Sequence, residues 1–343
     1  MEVDVETLLS VHPEDVDTPD EVTFARNVFL PLTTACKNSC DYCAFYDRAD
    51  NAKIMSREEV RRTLRTGKEA GCTEALFSFG TRPEVFPTIE KRLEKMGFDS
   101  ILDYLYVACE EALDMGVLPH SNPGLLTYEE MERLKEVNAS MGLMLETTAE
   151  VPAHEGFETK KPEKRLEAIE NAGKLSIPFT TGFLVGIGET WEDRARSILA
   201  VRELEERYGH IQEVIVQNVV PNERSDYERP PLEDMKRMVA MARVGLPESV
   251  EVQVPPNLSR GLPELVRSGA GDLGGVSPVT DDYINPDYKW PAVRELEETA
   301  EEVGVPLKER LPVYPQYFET KDTEWISEKV LPKVKELNNT IPA

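Results

Sequence analysis

Short apolar, β-rich stretches recur along this chain, each followed by a segment with helical spacing. They lie at 28–34, 75–79, 117–121, 141–147, 177–185, 213–220, 250–254 and 273–277. Several are apolar throughout rather than alternating, as parallel strands covered on both faces must be. Between them, Ser56 with Glu59, Thr127 with Glu130 and Thr190 with Asp193 set a capping hydroxyl three residues before a carboxylate, the start signal of an amphipathic helix. Val60, Leu64 and Ala70 mark one apolar helix face, and Ile198, Val201 and Leu204 another. Eight strand-helix alternations predict an α/β fold, a single (β/α)8 barrel of the TIM type. A doubly wound sheet would carry a Gly-x-Gly-x-x-Gly turn after its first strand, where this chain has cysteines.

The same pattern divides the chain. Residues 1–25 form an acidic N-terminal extension, 26–310 the barrel without linker or repeat, and 311–343 a C-terminal segment packing on it. That last segment is expected to be irregular over 311–318 and helical near 323–338. No stretch approaches the roughly 18 apolar residues of a membrane span and the start lacks a signal-peptide core, so a soluble, cytoplasmic protein is expected. The formal charge of −25, from 64 acidic and 39 basic residues among 343, argues against a general nucleic-acid binder, which needs a basic face.

Charge excludes; the cysteines propose. Three of the five fall within eight residues, as Cys36, Cys40 and Cys43 in TTACKNSCDYCAFY, directly after the first strand. That is a poor disulfide framework. Three thiolates in Cys-x3-Cys-x2-Cys spacing can wrap a cubane 4Fe-4S cluster and leave one iron without a protein ligand. Zinc is the alternative, with Cys72 or a histidine as fourth ligand. Cys72 and Cys109 otherwise read as small core residues.

In a β/α barrel the carboxyl ends of the strands and the loops after them face the active site. Here they are polar: Ser78 to Thr81, His120 to Asn122, Glu146 to Thr148, Thr180 and Thr181, Gln217 and Asn218, Asn222, Asn257 and Asp272. Asn122, Gln217, Asn218 and Asn257 offer both donor and acceptor and suit a substrate with amide-like edges, such as a pyrimidine. His120 is the candidate for a substrate contact or proton relay, and Arg165 for a two-pronged grip on a carboxylate.

The cysteine spacing, with Tyr42 just before the third cysteine, resembles the signature of the radical S-adenosylmethionine (SAM) superfamily. That resemblance implies a 4Fe-4S cluster on the three cysteines, SAM chelated to the open iron, and a 5′-deoxyadenosyl radical that takes hydrogen from substrate. It further implies that Ser78, Phe79, Gly80 and Thr81 stand where the superfamily has a Gly-Gly-Glu-like contact to SAM's amino group. Thr81 replaces the usual Glu. Gly182 to Glu189 is similar to a Gly-x-Ile-x-Gly-x-x-Glu element, so Leu184 and Gly186 would border the adenine, and Glu146 would meet SAM's ribose or amine.

Further segments, FSFGTRPE, PHSNPGLLT, LETTAE, IPFTTGFLVGIGE, QNVVPN, PPNLS and GAGDLGGVSP, run in an order that resembles the 7,8-didemethyl-8-hydroxy-5-deazariboflavin synthase family over about 26–318. The family closes the second ring in deazaflavin coenzyme biosynthesis. The resemblance implies a lyase acting on a hydroxybenzyl-ribityliminouracil adduct and releasing ammonia, a partner radical SAM enzyme supplying that adduct, and a low-potential electron donor. Radical SAM enzymes of hydrogenase maturation or menaquinone biosynthesis share the barrel pattern. Biotin synthase would need more cysteines.

Overall fold

The computed structural model describes residues 3–47, 51–225, 227–319 and 324–341. Eight parallel strands close on themselves: β1 (Val22–Leu30), β2 (Glu74–Ser78), β3 (Leu118–Asn122), β4 (Ser140–Gly142), β5 (Phe179–Val185), β6 (Ile211–Asn218), β7 (Glu251–Gln253) and β8 (Asp272–Val276), with β1 paired to both β8 and β2. The helices outside them are α1 (Val5–Leu9), α2 (Arg57–Glu69), α3 (Pro87–Met96), α4 (Ile101–Asp114), α5 (Tyr128–Lys135), α6 (Pro162–Lys174), α7 (Trp191–Tyr208), α8 (Leu232–Gly245), α9 (Leu262–Arg267), α10 (Val293–Val303) and α11 (Leu331–Asn338). This is the predicted TIM-type barrel. Among the described residues no helix is long and apolar enough to cross a membrane.

The three predicted caps start helices as expected. Ser56, Thr127 and Thr190 each accept from the backbone N–H three residues on, while Glu59, Glu130 and Asp193 return to the cap's own N–H at 2.7, 2.8 and 2.8 Å. Each box satisfies two N–H groups that the first helical turn leaves open. Helix α2 lies tight on β1, because a Cβ at Gly67 would sit 2.7 Å from Val28 Cβ.

Two strands differ from the sequence pattern. The first spans Val22–Leu30 instead of 28–34, because its lower half carries Thr23, Arg26 and Asn27 and does not look apolar. The fourth ends at Gly142 instead of running to 147, because one extra residue interrupts the register: Leu145 N–H turns to the Thr181 hydroxyl, and pairing with β5 resumes only as a single bridge between Glu146, whose φ is 69°, and Phe183. A ninth strand, β9 (Leu307–Arg310), was not foreseen. It pairs with Val22–Ala25 of β1, below the point where β2 begins, and covers an edge that would otherwise lie open. Both termini join the barrel: Leu8 of α1 is fully buried, and α1 packs on α7 and α8. Residues 311–318 are irregular apart from a short 3-10 turn, and the predicted last helix is α11, which begins at Leu331 rather than near 323; residues 324–330 form turns and bends, and Thr323 lies outside the described residues.

The segment after β9 plugs the barrel floor. Arg310 donates to Asp272 at 2.6 and 2.8 Å and to Glu213 at 2.7 Å, Glu213 also accepts from Thr180 at 2.8 Å, and the Tyr314 hydroxyl reaches Glu213 at 3.2 Å. Burial opposes the charge on Arg310, yet Asp272 and Glu213 hold it well above the ordinary guanidinium range. Thr180 and Asp272, read from sequence as rim residues, therefore belong to this floor, at the amino ends of β5 and β8.

Candidate functional site

Above the floor, at the carboxyl ends of the strands, the cysteine loop leaves β1 and folds back on itself. Met55 N–H donates to Leu32 O at 2.9 Å, Asp47 N–H to Thr34 O at 2.8 Å, and Lys37 N–H to Thr81 O at 2.8 Å, which ties the loop to the end of β2. The approach there requires glycine, since a Cβ on Gly80 would lie 2.3 Å from Cys36 Cβ and 2.7 Å from Ala35 O. Asn222 holds the far side by donating to Tyr42 O at 2.9 Å, and Arg224 donates to Tyr46 O. Cys36, Cys40 and Cys43 all line one cavity of about 210 Å³.

Tyr42, Ser78, Phe79, Gly80, Thr81, Glu146, Arg165 and Leu184 line the same cavity, as do Asn122, Gln217 and Asn218. Three predicted positions do not. Gly186 shapes the turn after β5, with φ 103° and Val219 and Pro230 closing over it. The Glu189 carboxylate fixes that turn by accepting from Gly186 and Ile187 N–H at 2.9 Å each, and pairs with Arg194. His120 and Asn257 line a second, lower cavity instead.

Arg165 is buried in α6 and one arm of its fork donates to Met144 O, while its Nε has no partner. Glu146 makes a buried ion pair of 2.8 Å with Lys160. Burial alone would raise the Glu146 carboxyl, but Lys160 and then Arg165 outweigh it and hold it below the usual range. Burial pushes the three loop thiols up, and Lys160 acts against that rise on each of them. Lys160 also lies 5.4 Å from the centre of the Tyr42 ring. The Tyr42 hydroxyl and His154 Nε2 share a hydrogen bond of 3.0 Å, burial having driven this imidazole down to about 4 and kept it neutral. Lys160 and His154 were not singled out from sequence. Lys160 sits in a lysine-rich run that looks like a solvated helix start, and His154 carries no local signal.

Residues 30–201 match the radical SAM superfamily. A 7,8-didemethyl-8-hydroxy-5-deazariboflavin synthase from Haloarcula marismortui is 55% identical over 327 residues, spanning 95% of this chain and 88% of its own. One from Methanosphaerula palustris is 56% identical over 301 residues, spanning 87% and 91%. The chain belongs to the radical SAM superfamily, among the 7,8-didemethyl-8-hydroxy-5-deazariboflavin synthases. In solved structures its fold is similar to the FeFe-hydrogenase maturase HydG from Carboxydothermus hydrogenoformans (TM-score 0.66, 19% identity, 88% of this chain and 71% of that one). Methylornithine synthase also shares it (TM-score 0.63, 17% identity, 92% and 94%).

Radical SAM proteins work with a 4Fe-4S cluster and SAM, and the loop here fits such a group. Its donor set is three thiols on one cavity wall, with a glycine cradle behind Cys36 and, among the described residues, no carboxylate of the loop lining that wall. The zinc alternative loses its support. Among the described residues no group of three His, Cys, Asp or Glu forms a single-ion site. Cys72, its candidate fourth ligand, donates to Asn27 O at 3.1 Å and lies before β2, at the opposite end of the barrel. Cys109 is buried in α4 beside Ser121.

Proposed function

We propose that the chain is the ring-closing deazaflavin synthase its relatives are named for. Cys36, Cys40 and Cys43 would hold the 4Fe-4S cluster, whose remaining iron would be open to SAM. The single observation that carries this reading is the convergence of the three thiols, Glu146, Arg165 and Leu184 on one cavity at the carboxyl end of the strands. When bound, the cluster and SAM supply an electron and a 5′-deoxyadenosyl radical. The chain's own residues place the target. The partnerless Arg165 Nε and the backbone around Gly80 face the amino-acid part of SAM. The apolar group formed by Val151, Ala153, Leu184, Ile187 and Val219, beside Tyr42, offers a flat face to adenine. With SAM bound, the walls have to exclude water if a primary alkyl radical is to reach only one hydrogen.

The substrate in this reading is 5-amino-5-(4-hydroxybenzyl)-6-(D-ribitylimino)-5,6-dihydrouracil. A hydrogen atom is abstracted from it, the central ring closes, ammonia leaves, and the cyclised radical gives up one electron and one proton, so that a single SAM accounts for the two-electron oxidation; this makes the enzyme an ammonia-releasing lyase. Asn122, Gln217 and Asn218 line the cavity with donors and acceptors suited to a pyrimidine edge. A partner radical SAM enzyme supplies the adduct and a low-potential donor the electron. The test is anaerobic: the reduced protein with its partner enzyme, tyrosine, the ribitylaminouracil and SAM should yield the fluorescent deazaflavin, with ammonia and 5′-deoxyadenosine. Formation of 5′-deoxyadenosine without deazaflavin would leave a radical SAM enzyme with a different substrate.

A further inference from the structure

Barrel interiors of this type are normally filled by layers of branched apolar side chains. This one is not. Between the cysteine loop and the Arg310 floor lies a second cavity of about 180 Å³, continuous with the first through shared lining by Ser78, Asn122, Met144 and Gln217. Its walls include inward-facing polar residues from successive strands: Asn27 of β1, Glu74 of β2, His120 of β3 and Gln253 of β7.

Buried polar groups are nearly always hydrogen-bonded, and several here are not. Both side-chain polar atoms of Asn27 lack a partner, as do Asn257 Oδ1 and Trp290 Nε1 in the same lining. Glu74 and Gln253, 6% and 8% exposed, make no side-chain hydrogen bond among the described residues. His120 is partnered on one side only, and that side fixes the other. Ser140 Oγ donates its single proton to Pro312 O at 2.5 Å, so its 2.7 Å contact with His120 must be a bond from Nδ1–H. Nε2 is left as an unprotonated acceptor, and burial, followed by the Arg310 charge, drives the imidazole down to about 3 and keeps it neutral.

The chamber selects against ions. Arg310 is consumed by Asp272 and Glu213, so among the described residues of the lining no free cation awaits an anion. A cation would find Glu74 with its carboxyl pushed up by burial to about 7 and the Arg310 charge nearby. The lining carboxylates Glu213 and Asp282 are engaged as well, Glu213 by Arg310 and Thr180 and Asp282 by Asn257 and the Ile284 and Asn285 N–H groups, which leaves a narrow space of mixed donors and acceptors beside apolar Phe29, Leu76 and Ile215. We infer that this chamber holds the polyhydroxylated chain of the substrate, which places the ring to be closed at the junction of the two cavities, under the cysteine loop. A polyol alternates hydroxyls, each donor and acceptor, with C–H faces that pack on apolar walls. This rests on the proposed substrate, whose ribityl group is such a chain.

Two probes test it by calorimetry on the cluster-loaded protein with SAM: 5-amino-6-(D-ribitylamino)uracil and its 6-methylamino counterpart, which lacks the polyol. The wild type should bind the ribityl probe roughly tenfold or more tighter, the worth of one or two well-made hydrogen bonds. Gln253→Met, with His120→Phe as a second variant, should shrink that preference several-fold, compared in whichever variant keeps wild-type iron content and melting temperature. Equal binding of the two probes to the wild type overturns the inference, as does a preference that survives in the variants. The deazaflavin assay separates the two failures. Product formed without a ribityl preference sinks the chamber assignment alone, whereas no product and no binding of either probe sinks the substrate reading with it.

Discussion

Replacing Cys36, Cys40 or Cys43 by alanine should abolish both cluster binding and SAM cleavage, while Cys72→Ala and Cys109→Ala leave both in place. The first three share one cavity wall, and a cubane that loses one of three protein thiolates loses an anchor no neighbour can supply. The other two cysteines are inert for a stated reason: burial pushes each thiol up to about 12, one against Asn27 O and the other between Ser121 and Asn138. Iron and sulfide analysis after anaerobic reconstitution reads the result, with about four of each per chain expected in the wild type and in the two control variants. Iron lost from the Cys72 variant would show that the ligand set is wrongly assigned.

Lys160→Met should destabilise the protein by roughly 3–5 kcal/mol, the usual consequence of leaving one half of a buried ion pair alone. Lys160 and Glu146 have side chains only 11% and 10% exposed and meet at 2.8 Å. Arg165 remains nearby, but one arm of its guanidinium is already given to Met144 O. The double variant Lys160→Met, Glu146→Gln removes both charges and should recover more than half of the loss in denaturant unfolding. A double variant as unstable as the single one would show that something other than the charge pair holds this corner of the site.

The barrel was legible because long parts of its strands are apolar and its helices announce themselves with capping boxes at Ser56, Thr127 and Thr190. What escaped the sequence pattern has a common cause. The interior is polar, so the lower half of β1, with Thr23 and Asn27, did not resemble a strand, and Thr180 and Asp272 looked like rim residues when they build the floor. Strand β9 is too short and charged to stand out, and its role depends on an edge of β1 visible only in three dimensions. That the three cysteines would come together was legible from spacing alone, and they do line one cavity. Lys160 was not, since its pairing with Glu146 and its effect on all three loop thiols arise from the fold of residues 146–160 and from no periodic signal. Gly80 was placed by resemblance, and the 2.3 Å approach to Cys36 now gives a physical reason for it.

The central claim is that the loop leaves one iron open and that SAM takes it. Electron paramagnetic resonance of the reduced, reconstituted protein with and without SAM tests this directly. A 4Fe-4S signal that changes on adding SAM, together with formation of 5′-deoxyadenosine, is the expected result. A cluster signal that SAM leaves unchanged would contradict the account.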